Sequence, residues 1–523
     1  MRIVPIVRWG LVRTQRHRPR LERVVLFVAS KVARLVWSAL AVTAMVCAGP
    51  TSLAQLPAPQ SPAPEPLVLE PLTLEPVAAE PLAPDPAPLP DSLAVELASL
   101  QAQIDSLRGP SPSAAGPDSR LPRAIGADGV PGTHERPSLV LSGQMQGDMV
   151  YFSQDPESMA ALGDLQDGAQ FRRLRLVARG KTWLQLEYAF GVDFALANRP
   201  AFLDNYLEAH DVPWLHNVRL GHYFEPFSLE RLTQNRNNTF MERSLVDTFA
   251  PARNMGVMAF GWDDSQRSTW QIGTFRTNSD NVGNDSFESG QALTMRGTVL
   301  PFWDDDGSRY LHLGAAYSFR GTDENRVRFR NTPEIRKSQP DDQPTANPGT
   351  PPFAPIFVDT GFIPARSFQL FDPEFALVLG PLSLQSEYAF AFVDQIGGPP
   401  LFFNGYMAQL SWFLTGEHRP YDREKGIHTW MDVNEDFFLV RRGRGQGVAT
   451  GLGAWELAAR YSNIVLNDKN IDGNNLTDFT FGLNWYLNKY TRTKLNYVRA
   501  FLQDRQLGNS ITDAFGMRFD VEF

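Results

Sequence analysis

Along the last nine residues, Phe515 to Phe523, apolar and charged side chains alternate without a break. Phe515, Met517, Phe519, Val521 and Phe523 fall on one face; Arg518, Asp520 and Glu522 fall on the other. A period of two specifies a β-strand with one greasy and one wet side. The same alternation predicts strands near 479–487, where Phe479, Phe481, Leu483, Trp485 and Leu487 oppose Gly482 and Asn484. It recurs near 455–461, where Trp455, Leu457, Ala459 and Tyr461 oppose Glu456 and Arg460. Further upstream, Leu174, Leu176 and Ala178 oppose Arg173, Arg175 and Arg179, and Leu184, Leu186, Tyr188 and Phe190 oppose Gln185 and Glu187.

A soluble sandwich and a membrane barrel share this pattern. The terminal phenylalanine favours the barrel, because outer-membrane barrels are typically recognised for assembly by that residue. Strands in lipid must then close on themselves, since hydrocarbon satisfies no stray backbone donor. Residues 138–523 supply about 385 positions, and roughly 24 per strand and connection gives ~16 antiparallel strands, a size that leaves an aqueous channel. The fold class read here is all-β, a transmembrane antiparallel barrel with its polar face turned inward. With Phe523 on the periplasmic side, Asn488–Tyr490 is a periplasmic turn, and 467–475 and 503–511 are outer loops. Connections are expected to be long outside and short inside.

Four segments precede the barrel. Nine Lys and Arg in the first 34 residues, an apolar run from Leu35 to Val46 and Ser52-Leu53-Ala54 mark 1–54 as an export signal, with outer-membrane localisation to follow. The run is too short for a membrane-crossing helix. Its removal takes away Cys47, the only cysteine, and with it any disulfide or thiolate metal site. In 55–90, 12 of 36 residues are proline and an acidic-Pro pair recurs every fifth residue, which makes an extended spacer. Leu93, Leu97, Leu100, Ile104 and Leu107 space a short coiled-coil helix over 91–109. That helix is either an oligomerisation zipper or an amphipathic helix packed on another surface. Residues 110–137 are a flexible linker. Spacer and helix together could also tether the barrel to the cell wall or to a periplasmic partner.

Charge narrows the function. The chain carries a net −9, and loss of 1–54 removes nine basic and one acidic residue, leaving −17. So acidic a protein is a poor nucleic-acid binder, although a pore can still be locally basic. The sequence holds no H-E-x-x-H, G-x-S-x-G or P-loop signature, and its eight histidines are scattered, so neither enzyme nor cofactor is expected. Asp468, Asn470 and Asp472 have the D-x-N-x-D-G spacing of a calcium loop, but Phe479 stands where the bidentate glutamate belongs; a tight turn explains the same letters.

Several ordered motifs then carry a resemblance. Val218-Arg-Leu-Gly-His-Tyr-Phe-Glu-Pro-Phe-Ser-Leu-Glu-Arg-Leu232, Asn237 to Ser244, Ala250 to Val257, Phe413 to Tyr421, Gly453 to Ser462 and Phe481 to Leu487 together resemble the phosphate-selective porin O and P family. The resemblance implies a homotrimer of 16-stranded barrels in outer-membrane lipid. It also implies a third loop folded inward as a constriction, and basic residues that pass small anions such as phosphate. That loop falls at Glu225–Arg253 and carries Arg231, Arg236, Arg243 and Arg253. These, with the wall residues Arg173, Arg175 and Arg179, are the candidate anion contacts, for a guanidinium stays charged and matches phosphate oxygens. Glu225, Glu230 and Glu242 are interleaved with them, so the loop reads equally as a self-neutralising loop-to-wall network. A lysine-rich mouth is missing, and Trp303 is followed by three aspartates, Asp304 to Asp306. A porin of broad or non-anion selectivity therefore stays open beside the anion channel.

Overall fold

The computed structural model describes residues 137–523 except 184, 196–199, 278–289, 305, 323, 336–354 and 442–446. The signal, spacer, coiled-coil and linker expectations lie outside the described residues. Sixteen long antiparallel strands close into a barrel, each paired with its sequence neighbour and the first with the last. They are β1 (Val140–Gln154), β2 (Gly168–Trp183), β3 (Leu186–Asp193), β4 (Asn205–Val212), β5 (His216–Phe224), β6 (Arg253–Trp262), β7 (Ser268–Arg276) and β8 (Gln291–Trp303). The second half comprises β9 (Arg309–Gly321), β10 (Ile363–Leu379), β11 (Leu382–Gln395), β12 (Leu401–Phe413), β13 (Ala454–Asp468), β14 (Ile471–Asn488), β15 (Thr491–Asp504) and β16 (Gly508–Glu522).

The alternation read from the sequence sorts side chains as expected. On β16, Phe515, Met517 and Phe519 are 42 to 51% exposed on the outside, while Arg518, Asp520 and Glu522 are at most 3% exposed on the inside. One defect in the alternation has a purpose. Arg172 has no partner on β1, because Gln146 faces Arg173 and Gly147 already faces Phe171. Such a bulge re-aims neighbouring side chains: Phe171 is turned out and exposed, and Arg172 joins Arg173 on the inside.

The wall is uneven in height. Strands β3 to β7 have 8 to 10 residues, and β8 to β16 have 13 to 18. The end of the barrel holding Ser138 and Phe523 is here the near end. The connections 467–475 and 503–511, expected as outer loops, are mostly ladder: β13 and β14 run on to a turn at Lys469-Asn470, and β15 and β16 to a turn at Arg505–Leu507. Asp304 and Asp306 of the acidic run after Trp303 lie in a tight turn at the near end, not in a far-end mouth.

Two expectations about the interior are corrected. Connections at the near end are not uniformly short, because the long link 414–453 lies there, and its part 419–430 folds into the lumen. The lumen is also not polar throughout. Around the far-end halves of β9 to β16, inward-facing Val498, Leu502, Phe403 and Ile464 are buried against Phe227, Leu245 and Phe249 of the loop 225–252 and Phe329 and Ile335 of the link 322–362. That link therefore enters the barrel in its described parts. Wall positions facing packed loops, rather than water, can be apolar.

Candidate functional site

Loop 225–252 leaves β5 at the far end and carries a short helix, α1 (Leu229–Leu232), capped by Ser228, whose hydroxyl accepts from the Arg231 N–H. Wall arginines pin this loop. Arg518 grips Asp148 with two bonds of 2.7 Å and Glu242 with a third of 2.7 Å; Arg172 holds the same Glu242 at 2.8 and 3.1 Å. Arg460 reaches Glu230 at 3.0 Å and Glu334 at 2.7 Å, joining the loop to the link 322–362. Arg320 holds Glu225 at 2.7 Å. Burial pushes the Glu242 carboxyl up, but Arg172, Arg518 and Arg173 outweigh it and hold it well below the usual carboxylate range.

The link 414–453 rises from the near end to meet the loop. Arg419 donates to Asn237 O at 2.9 Å and Thr239 Oγ1 at 2.8 Å while paired with Glu456, and Arg236 stacks over Trp430 at 4.3 Å. Arg296, clamped by Glu374 at 2.7 and 2.8 Å, donates to Gly426 O at 2.8 Å. His428, buried behind Tyr310, is driven well below its ordinary pKa by desolvation and then by Arg419, so it packs as a neutral ring. Two segments from opposite ends thus constrict the lumen.

What stays open to solvent runs along the low wall. Arg175 pairs with Asp193 at 2.7 Å, Arg219 with Glu208 at 2.5 Å, and Arg253 with Asp204 at 2.9 and 3.1 Å; all three guanidiniums are partly exposed. Arg219 also lies 4.2 Å over the Tyr206 ring and Arg253 3.9 Å over Phe224, so each cation is held by a carboxylate on one side and an aromatic face on the other. Burial alone would raise Asp204; the guanidinium of Arg253 reverses this and brings it down to about 2.

The seven candidate arginines divide. Arg173 is buried, its Nη1 on Gln146 at 2.6 Å. Arg175 is neutralised by Asp193 at 2.7 Å, and Glu187 on the adjacent strand pairs with Lys181 at 3.0 Å. Arg179 is exposed, and among the described residues no carboxylate lies in ion-pair reach of it. Arg231 pairs with Asp247 at 2.9 Å, and Arg243 is spent on backbone carbonyls of Glu230 and Arg231 at 3.2 and 3.0 Å. Burial, which outweighs the opposing pull of Asp247, lowers Arg243 to about 10. Arg236 holds Glu522 at 3.0 Å. Within 225–252, then, Arg231, Arg236 and Arg243 are each engaged by a carboxylate or by backbone carbonyls. Arg172 and Arg320 escaped the sequence reading, while Arg460 and Arg518, read there as polar-face residues, and Arg219, read within a motif, were not named as candidates; inward charges at alternate strand positions were the signal available, and for Arg172 only the bulge makes the assignment. Asp468 accepts from Phe402 N at 2.8 Å and Asp472 from Arg505 at 2.8 Å, so the carboxylates of the D-x-N-x-D-G turn bond to β12 and to the β15–β16 turn.

A closed sixteen-stranded ring, apolar outside and carrying charge inside, is the architecture of an outer-membrane porin. The model of the phosphate-selective porin O and P family matches residues 141–523, and the chain belongs to that family. It is 24% identical over 386 residues to Porin O of Pseudomonas aeruginosa, covering 69% of this chain and 83% of that one. An uncharacterized protein of Caulobacter vibrioides is 28% identical over 346 residues, covering 63% of this chain and 62% of that one. Among solved structures, the anion-selective porin from Comamonas acidovorans superimposes with a TM-score of 0.44 at 13% identity, over 74% of this chain and all of the other.

Proposed function

We propose that this barrel passes small anions, phosphate among them, by diffusion down their gradient, with the near end in the periplasm. The observation carrying the reading is the charge of the solvent-accessible lumen: along β2 to β6 its cations among the described residues include Arg172, Arg175, Arg179, Lys181, Arg219 and Arg253. Most of these share their charge with one carboxylate, which suits weak, sequential contacts from which an anion escapes again. Membership of a family described as phosphate-selective, and likeness to an anion-selective porin by name, point the same way. The test is the zero-current potential of the purified protein across a potassium chloride gradient, repeated with phosphate as blocker. Anion preference reduced by phosphate is expected; a cation preference ends the reading.

The low wall supports assembly as a homotrimer. A strand of 8 residues, as in β3 and β4, rises roughly 20 Å at ~3.3 Å per residue and a tilt of ~40°, short of the ~25 Å apolar band of such barrels. Exposed Phe190, Leu207, Leu220 and Met255 on that side would be covered by neighbouring subunits. Cross-linking in native membranes checks the subunit number.

A further inference from the structure

We infer that Glu187, Glu208 and His210 form a binding site for a divalent cation of intermediate softness, such as Zn2+ or Co2+, at the near-end mouth of the channel. Among the described residues this is the one group of three or more His, Asp or Glu donors whose ligand atoms lie within 4.8 Å of one another. Glu187 stands at the start of β3, and Glu208 and His210 near the end of β4, all on the lumen face, where the β4–β5 register slips between Ala209 and Val212. His210 Nε2 lies 3.4 Å from Glu187 Oε2 and 3.5 Å from Glu208 Oε1. Donors each ~2.1 Å from a shared ion sit roughly 3.0–3.4 Å apart at octahedral or tetrahedral angles, so the present spacing closes on an ion with little movement.

The surroundings orient each donor. One oxygen of each carboxylate is tied outward, Glu187 Oε1 to Lys181 at 3.0 Å and Glu208 Oε2 to Arg219 at 2.5 Å, which leaves the other oxygen of each aimed at the imidazole. Asn217 Nδ2 donates to Phe260 O at 3.3 Å, which turns its Oδ1 toward His210 Nδ1 at 2.8 Å. That amide oxygen only accepts, so Nδ1 carries a proton and Nε2 is the nitrogen turned toward the two carboxylates. Nε2 is itself buried and without a hydrogen-bond partner. A histidine whose far nitrogen is fixed by a neighbouring acceptor is the usual outer arrangement of a metal ligand. Two carboxylate oxygens and one imidazole nitrogen suit zinc or cobalt better than calcium, and the lumen side is left for water.

The competing occupant is a proton, which would let an imidazolium bridge both carboxylates. Titrating the full-length protein in detergent with Co2+ separates the two, read by the visible absorption of the ion and by calorimetry. One ion per barrel is expected, with binding lost in His210→Gln and in Glu208→Gln, and weakened roughly 10- to 100-fold in Asn217→Ala, which touches only the outer nitrogen. Heat-dependent gel mobility confirms that each variant still forms the barrel. No binding at millimolar Co2+ or Zn2+, or affinity unchanged in His210→Gln, overturns the site. A bound ion also adds positive charge at the mouth, a consequence that rests on the porin reading. Zn2+ on the near-end side should shift the zero-current potential further toward anions in the wild type and not in His210→Gln, and a loaded site with no shift overturns that consequence alone.

Discussion

At the scale of single residues, the interior is governed by carboxylates caught between guanidiniums. Glu242 has two, Arg172 and Arg518, and it is almost wholly buried. Removing one partner of a buried pair strands the others, at about 3–5 kcal/mol. Glu242→Ala should therefore undock loop 225–252, and limited proteolysis inside the loop, resisted by the wild type, is the measurement. Because the folded carboxyl lies well below its usual range, the stabilisation is fully present above the unfolded value and fades only as pH falls through the lower one, so the loop should stay docked in mild acid. Asp204 offers a sharper pH test. Its pairing with Arg253 is intact above about pH 4 and is lost as the pH falls through about 2, freeing one cation in the open lumen. Anion preference should rise over that window, and Asp204→Asn should already show the rise at neutral pH. Arg179→Gln should act oppositely: stability changes by no more than about 0.5 kcal/mol, since the side chain is exposed, while anion preference drops.

At the scale of elements, strands were legible because each one carries its own two-residue code, and β13, β14 and β16 match it residue by residue. What the code omits is anything decided by a distant partner. Glu242 meets Arg518 across 276 positions and Arg460 meets Glu230 across 230, and no local pattern announces either. The link 414–453 looked like a departure from turn-length expectation only once its end of the barrel was known. The glycine in the Val218–Phe224 motif was visible as a letter, but its reason is spatial: Gly221 has φ +140, and a Cβ there would fall 2.3 Å from Asn205 O. Gly221→Ala should cost on the order of 1–3 kcal/mol and lower the yield of heat-modifiable barrel.

For the whole molecule, the number of strands followed from chain length and turn spacing, and the family's motifs named the fold. The division of the lumen did not follow, because a packed half beside the tall wall and a wet half beside the low wall arise only when the inward segments are in place. A net negative protein thus presents arginine along its open path. Because those arginines act on ions in water, their influence is screened, and anion preference should weaken as salt rises from about 0.1 M, with a Debye length near 10 Å, to 1 M, with one near 3 Å. A preference independent of salt would place selectivity in pore width instead.

The loop 225–252 and the link 414–453 come in through opposite mouths, and the ring of staves has no side door once β1 has zipped to β16. The rivet across that zip is Arg518, whose fork takes Asp148 from the first strand and Glu242 from the loop together. The same guanidinium therefore belongs both to the place where the cylinder shuts and to the constriction inside it, so a substitution at Arg518 should loosen loop 225–252 and weaken the seam at once.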